Sequence, residues 1–81
     1  MKDELLYIFD ILIILENYQY IVMEALTKYK LYRKAMEFLI EKGIVKIKRG
    51  NKKHIVYLTE KGKELSKQLI YLLEMLMNIL G

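Results

Sequence analysis

Residues 44–62 read IVKIKRGNKKHIVYLTEKG and crowd Lys46, Lys48, Arg49, Lys52 and Lys53 around one Gly50-Asn51 pair. A second basic group, Lys30, Arg33 and Lys34, lies one element earlier, spaced as near neighbours on a helix. Ammonium and guanidinium groups at this density do not break bonds. They neutralise phosphates and donate charged hydrogen bonds to them, Arg through a planar fork. No recognisable set of groups for bond chemistry accompanies them in the sequence. There is no Cys and a single His, His54, so neither a Cys/His pair nor a histidine-based zinc site can be assembled. No Ser/His/Asp set and no glycine-rich phosphate loop is present. The expectation is a protein that is not an enzyme, has no metal or cofactor, and shows no evident small-molecule ligand.

The placement of charge sharpens this. The net charge is +4, but residues 28–63 hold twelve Lys or Arg against Glu37, Glu41 and Glu60 alone. Residues 1–27 hold one Lys against five acids, and residues 64–81 hold Lys67 against Glu64 and Glu74. A basic middle between apolar, mildly acidic flanks is the electrostatic footprint of nucleic-acid binding.

The elements that must position these cations can be read from periodicity. Residues 3–16 suit a first helix with Leu5, Ile8 or Phe9, Leu12 and Leu15 on one stripe and Leu6, Ile11, Ile13 and Ile14 outside it. Asn17-Tyr18-Gln19 reads as a break, residues 20–27 as a second helix and Lys28-Tyr29-Lys30 as a turn. Residues 31–42 suit a third helix, with Tyr32, Ala35, Met36, Leu39 and Ile40 opposed to Lys30, Arg33, Lys34, Glu37 and Glu41. Gly43 is placed to be its left-handed C′ residue. Residues 44–49 and 54–59 read as strands of a hairpin around a two-residue Gly50-Asn51 turn. That register pairs Val45 with Val56, Ile47 with His54, Lys46 with Ile55 and Lys48 with Lys53. The last pair opposes two cations that an anion would relieve. Thr59 is a good N-cap for a last helix over 60–80. In that helix Leu65, Leu69, Leu72, Leu76 and Ile79 form one stripe, and Ile70, Leu73, Met77 and Leu80 form a second beside it.

A chain of 81 residues is read as a single domain, 1–81, and is marginal alone. Its 54% hydrophobic content exceeds the roughly 45–50% usual for globular domains. Two stripes on one helix imply two partners, so the surplus is assigned to a homodimer through Leu5, Phe9, Leu12, Leu69, Leu72, Leu73, Leu76, Met77, Ile79 and Leu80. The apolar runs 5–15 and 69–80 are interrupted by Asp10 and Glu74 and are too short to span a bilayer. No signal peptide is evident, because Met1-Lys2-Asp3-Glu4 carries both signs of charge and no small-residue cleavage site comes after it. A cytoplasmic protein with no membrane partner is expected. The abundance of Lys, Glu, Ile and Tyr fits a heat-adapted source.

The stretch FLIEKGIVKIKRGNKKHIVYLTEKGKEL, residues 38–65, resembles the winged helix-turn-helix transcriptional regulators of the PadR and MarR type. In that superfamily L-x-E-K-G-(L/I)-(I/V) precedes the wing and L-T-E-K-G-x-x-L comes after it. Leu39 to Val45 and Leu58 to Leu65 match both motifs. Residues 3–27 match in pattern only, and Lys28-Tyr29-Lys30 departs from the usual Gly- or Ser-containing turn. With no added ligand-binding segment, the chain is most similar to the minimal winged-helix proteins of archaea and their viruses and plasmids. The resemblance implies a mainly α fold with a small β-hairpin, in the order α-α-α-β-β-α, ending in a long dimerisation helix.

It also implies double-stranded DNA as partner. Residues 31–42 would be the recognition helix in the major groove, presenting Tyr29, Lys30, Arg33, Lys34 and Glu37. Arg33 fits a bidentate contact to guanine, while Glu37 reads as Arg33's partner one turn on, or as an acceptor from cytosine. The wing, residues 44–59, would lay Lys46, Lys48, Arg49, Lys52 and Lys53 on phosphates. Arg49 would stand near the minor groove, and Gly50-Asn51 would allow close approach. A two-fold dimer would put two recognition helices about 34 Å apart on a palindromic site. His54 reads as a half-buried strand residue, and Tyr18, Tyr20, Tyr29, Tyr32, Tyr57 and Tyr71 read as packing. A winged helix used only to dock another protein is the alternative, and RNA is a further candidate partner.

Overall fold

The middle of the chain sets the architecture, because its third helix has one wholly apolar side. In the computed structural model, which describes residues 2–81, this helix is α3 (Lys30–Glu41). Met1, the first residue of the expected domain, lies outside the described residues. Ala35, Met36 and Leu39 are buried, and Lys30, Arg33, Lys34, Glu37 and Glu41 are exposed. Around α3 the chain runs α1 (Lys2–Asn17), β1 (Ile21–Val22), α2 (Met23–Thr27), α3, β2 (Val45–Arg49), β3 (His54–Leu58) and α4 (Glu60–Leu80). The protein is mostly helical, with a three-stranded antiparallel sheet in the order β1-β3-β2. Among the described residues no helix is long and apolar enough to cross a membrane.

Three expectations change. Residues 20–27 are not one helix. Ile21 and Val22 are extended and pair with Val56 and Ile55, which leaves α2 five residues long. The apolar run Tyr-Ile-Val suits helix or strand equally, and the exposed edge of β3 decides it. The stripe of α1 also turns. Ile11 is fully buried with Ile8, Leu12 and Leu15, whereas Leu5 is exposed. Leu12, expected at a dimer face, is 2% exposed and belongs to the core. The hairpin register moves by two residues, to Val45↔Leu58, Ile47↔Val56, Lys48↔Ile55 and Arg49↔His54. Because the pleat repeats every two residues, this slip keeps Val45, Ile47, Val56 and Leu58 facing the core.

The junctions are built by hydrogen bonds that the sequence advertises. Gly43 has φ +72, and α3 closes with Ile44 N–H donating to Leu39 O (2.9 Å) and Gly43 N–H to Ile40 O (3.1 Å). This is the paired capping arrangement that a left-handed glycine permits. Thr59 then caps α4, its Oγ1 accepting from Gly62 N–H at 3.1 Å and donating to Gly43 O at 2.7 Å. Thr59 N–H donates to Ile44 O at 3.0 Å, and Lys61 Nζ donates to Lys42 O at 3.0 Å. Gly62 packs on the same carbonyl so closely that a Cβ would stand 2.0 Å from Ile44 O. Elsewhere, fully buried Ser66 of α4 donates to the Glu16 carboxylate of α1. Tyr32 of α3 donates to Asp10 Oδ2 of α1 at 3.1 Å, and partial burial, with that carboxylate beside it, pushes the phenol's pKa up.

The two glycines therefore fail differently. Gly43→Ala meets open space and carries only a left-handed backbone penalty of about 1 kcal/mol. Gly62→Ala drives a methyl into backbone, at about 3 kcal/mol or more. Thermal melts should rank G62A well below G43A, at about 4–8 °C per kcal/mol; equal midpoints would contradict the packing at Ile44.

Candidate nucleic-acid interface

Every cation singled out in the sequence is exposed. On α3 these are Lys30, Arg33 and Lys34, with Glu37 continuing the same stripe. Tyr29 is the N-cap residue, exposed, and supplies no side-chain cap. The free first-turn N–H groups and the adjoining Lys30, Arg33 and Lys34 give this helix end a positive potential. Tyr29 is held by an edge contact with Tyr32 (6.2 Å between centroids), and Lys28 Nζ lies 5.3 Å from the Tyr29 ring centroid. The expected Arg33–Glu37 pair is not made among the described residues. Arg33 Nη1 instead reaches back to Thr27 O, at 3.5 Å.

On the hairpin, Lys46, Lys48, Arg49, Gly50, Asn51, Lys52 and Lys53 are all exposed. The connection is a four-residue loop, 50–53, closed by Gly50 N–H donating to Lys53 O at 2.9 Å. A primed two-residue turn needs positive φ at its centre, and Gly43 alone has it among the described residues. A Cβ on Gly50 would stand 2.8 Å from Lys53 O, so glycine is needed here for space. Lys48 faces Ile55 and Lys53 lies in the loop, so the opposed lysine pair does not exist. The loop removes that repulsion by moving one ammonium off the ladder.

One contact that the sequence did not signal organises the site. Glu24, on α2, accepts from His54 N–H at 2.8 Å and binds His54 Nδ1 at 2.9 Å. The two residues are 30 positions apart. The bonds hold the first residue of β3, next to the basic loop, against the start of α2. Thr27, at the other end of α2, receives Arg33. Glu24 and Thr27 are three residues apart, about 4.5 Å along a helix axis. α2 thus meets the hairpin firmly through Glu24 and His54, and meets α3 only through the long Arg33–Thr27 contact. His54 is half-buried as expected, but opposite Arg49 rather than Ile47.

The apolar surplus is also visible. Only Gly62 and Ser66 of α4 are buried, and from Tyr71 onward every residue is exposed, including Leu72, Leu73, Leu76, Met77, Ile79 and Leu80. Leu5, Phe9, Phe38, Leu65, Leu69 and Leu72 border an apolar groove of about 580 Å³ between α1 and α4. Phe9 and Leu69 are partly buried there. Contiguous exposed apolar surface of this kind marks an interaction site. Among the described residues no group of three His, Cys, Asp or Glu could hold a metal ion. No family model matches the chain, and neither a curated protein nor a solved structure matches it.

The Glu24 clamp predicts a pH dependence. The His54 N–H holds the Glu24 carboxyl below its ordinary 4.5. A lowered carboxyl contributes stability above the unfolded value, and that stability is lost as pH falls through the folded value. Glu24→Gln should therefore melt below wild type at about pH 7, with the gap closing by about pH 3. A gap that persists at low pH would rule out an ionic contribution from this contact.

Proposed function

We propose that this chain is a winged-helix protein that binds double-stranded DNA as a homodimeric transcriptional regulator. In this reading α3 is the recognition helix, the β2–β3 hairpin is the wing and α4 is the dimerisation helix. The observation that carries the reading is the shared anchoring of the two basic groups. Glu24 fixes the base of the loop, Thr27 receives Arg33, and α2 spans the short distance between them. Lysines that served only solubility would need no neighbour fixed in this way, whereas here His54 at the loop is held to the helix that Arg33 also reaches. The element order, the three-stranded sheet and the uncapped N-terminus of α3 support the same assignment.

The division of labour rests on side-chain chemistry. Arg33 has the fork that matches guanine's two major-groove acceptors, and its long bond to Thr27 O is weak enough to exchange. Lys30 and Lys34 flank it as phosphate or base contacts. Lys46, Lys48, Arg49, Lys52 and Lys53 are point charges or forks on an exposed hairpin, suited to the phosphate backbone. The exposed apolar residues of α4 favour a second copy of the chain. That same surface is what the alternative reading, a docking module for another protein, would use.

Two measurements test the proposal. In fluorescence anisotropy on duplex DNA, log affinity should fall against log salt with a slope of about −0.9 per phosphate neutralised. Lys52→Ala with Lys53→Ala should weaken all duplexes alike and flatten that slope by about 1.8. Arg33→Ala should cost about 1–3 kcal/mol on the preferred site and relax sequence choice. A salt-independent affinity would sink the reading. In light scattering, wild type should weigh about twice the 9.7 kDa chain, and Leu72→Glu with Leu76→Glu should return it to one chain mass. A monomer at all concentrations would leave the docking reading in place.

A further inference from the structure

The outer face of the sheet has a different chemistry from α3. Residues that alternate with the core-facing set share this face. Lys46 lies across from Tyr57, Lys48 across from Ile55, and Val22 across from Ile55 on the other side. Tyr20 immediately precedes β1, and the register carried one step beyond the Ile21↔Val56 pair would set it beside Tyr57. Tyr20 is 54% exposed and Tyr57 is 37% exposed. Among the described residues neither ring makes an aromatic pair or a hydrogen bond, whereas Tyr7, Tyr29 and Tyr32 contact one another.

We infer that this face binds single-stranded DNA, with Tyr20 and Tyr57 stacking bases and Lys46, Lys48, Lys52 and Lys53 holding the phosphates. Three observations carry it. First, the rings are bordered by room. Tyr20, Val22, Ile55 and the 50–53 loop surround an open hollow of about 520 Å³, and Tyr57 lies between Lys46 and Lys63 at a second of about 260 Å³. Second, the face is one-signed. Its strands present lysines and no acid, and the two acids that border hollows beside Tyr57 are engaged, Glu60 by Lys63 Nζ at 3.4 Å and Glu16 by Ser66. Third, both rings are exposed beside the same sheet, Tyr57 on β3 and Tyr20 at the entry to β1, so two rings can serve one strand. Aromatic platforms beside a basic track are how proteins hold unpaired strands without sequence choice.

The choice of DNA as the polyanion rests on the duplex reading above. Lys48, Lys52 and Lys53 border both surfaces, so a strand leaving a duplex held by the hairpin passes directly onto the sheet. The stacking surface itself does not involve α3.

The test uses the full chain and a labelled oligothymidylate of about 12 nucleotides, which cannot pair with itself. Wild type should bind it, with partial quenching of tyrosine fluorescence. Tyr20→Ser and Tyr57→Thr should each weaken binding about tenfold while leaving duplex affinity within about twofold. Tyr20→Phe and Tyr57→Phe should bind as wild type, because the ring and not the hydroxyl stacks. Thr keeps strand propensity at position 57, and a matching melt of each variant verifies its fold. Arg33→Ala should impair duplex binding and leave the oligothymidylate untouched, which separates failure of the two readings. The inference is overturned if wild type does not bind oligothymidylate at low salt, if the Ser and Thr variants bind it unchanged, or if only an oligouridylate of equal length binds.

Discussion

The carbonyl of Ile44 is the point on which the rest of the structure depends. It accepts the Thr59 N–H and leaves room for nothing larger than the Cα of Gly62. It therefore fixes the start of α4 against the end of α3 and closes the hairpin base, where Val45 pairs with Leu58. Thr59 strengthens the joint by giving its hydroxyl proton to Gly43 O while capping α4. The four-residue run Thr59-Glu60-Lys61-Gly62 is thus a joint between three elements. The hairpin is held again at its far end, where Glu24 binds His54. A ribbon secured at base and tip loses less freedom on binding, and preorganisation of this kind raises affinity without adding contacts.

That rigidity carries an electrostatic cost. Twelve Lys or Arg fall within residues 28–63, and the carboxylates near them are few. Glu24 is committed to His54 and Glu60 to Lys63. The lysines of the loop and the stripe on α3 remain exposed, and apart from Glu37 on that stripe and the pull of Glu4 on Lys34, salt screens their mutual repulsion. A polyanion would relieve that repulsion and release its own counterions in the same step.

What the sequence made legible was local. Gly43 marks a helix end and Thr59 a cap, each where its type predicts, while the close approach at Gly62 emerged only from the structure. The polar stripe of α3 and the two faces of the hairpin arise from periods of 3.6 and 2. The rest was decided at a distance. Ile21-Val22 became a strand because Val56 and Ile55 offered an unpaired edge. The hairpin slipped by two residues with no change in its core face, so apolar pattern could not select its register. Glu24 and His54, 30 residues apart, fixed which alternative won. Between Leu5 and Leu15 of α1 every residue but Asp10 is apolar, so more than one stripe fits, and Ile11 rather than Leu5 turned inward. The candidate site was legible as a set of residues but not as an arrangement, since nothing local links Arg33 to Thr27 or the loop to α2.

The apolar end of α4 ties these threads together. A domain of 81 residues has little stability to spare, and the later turns of its longest helix bury nothing. If a second copy covers Leu72, Leu76 and Ile79, the hydrophobic area gained adds directly to folding, and stability becomes dependent on protein concentration by mass action. The same contact doubles the number of basic faces on one particle. The salt dependence of binding then grows with the number of phosphates met by both halves, while each half keeps its own clamp between α2 and the hairpin. On the proposed reading, folding, association and polyanion binding would be linked through one helix that touches no phosphate itself, because α4 begins at the Ile44 joint and ends in exposed apolar turns.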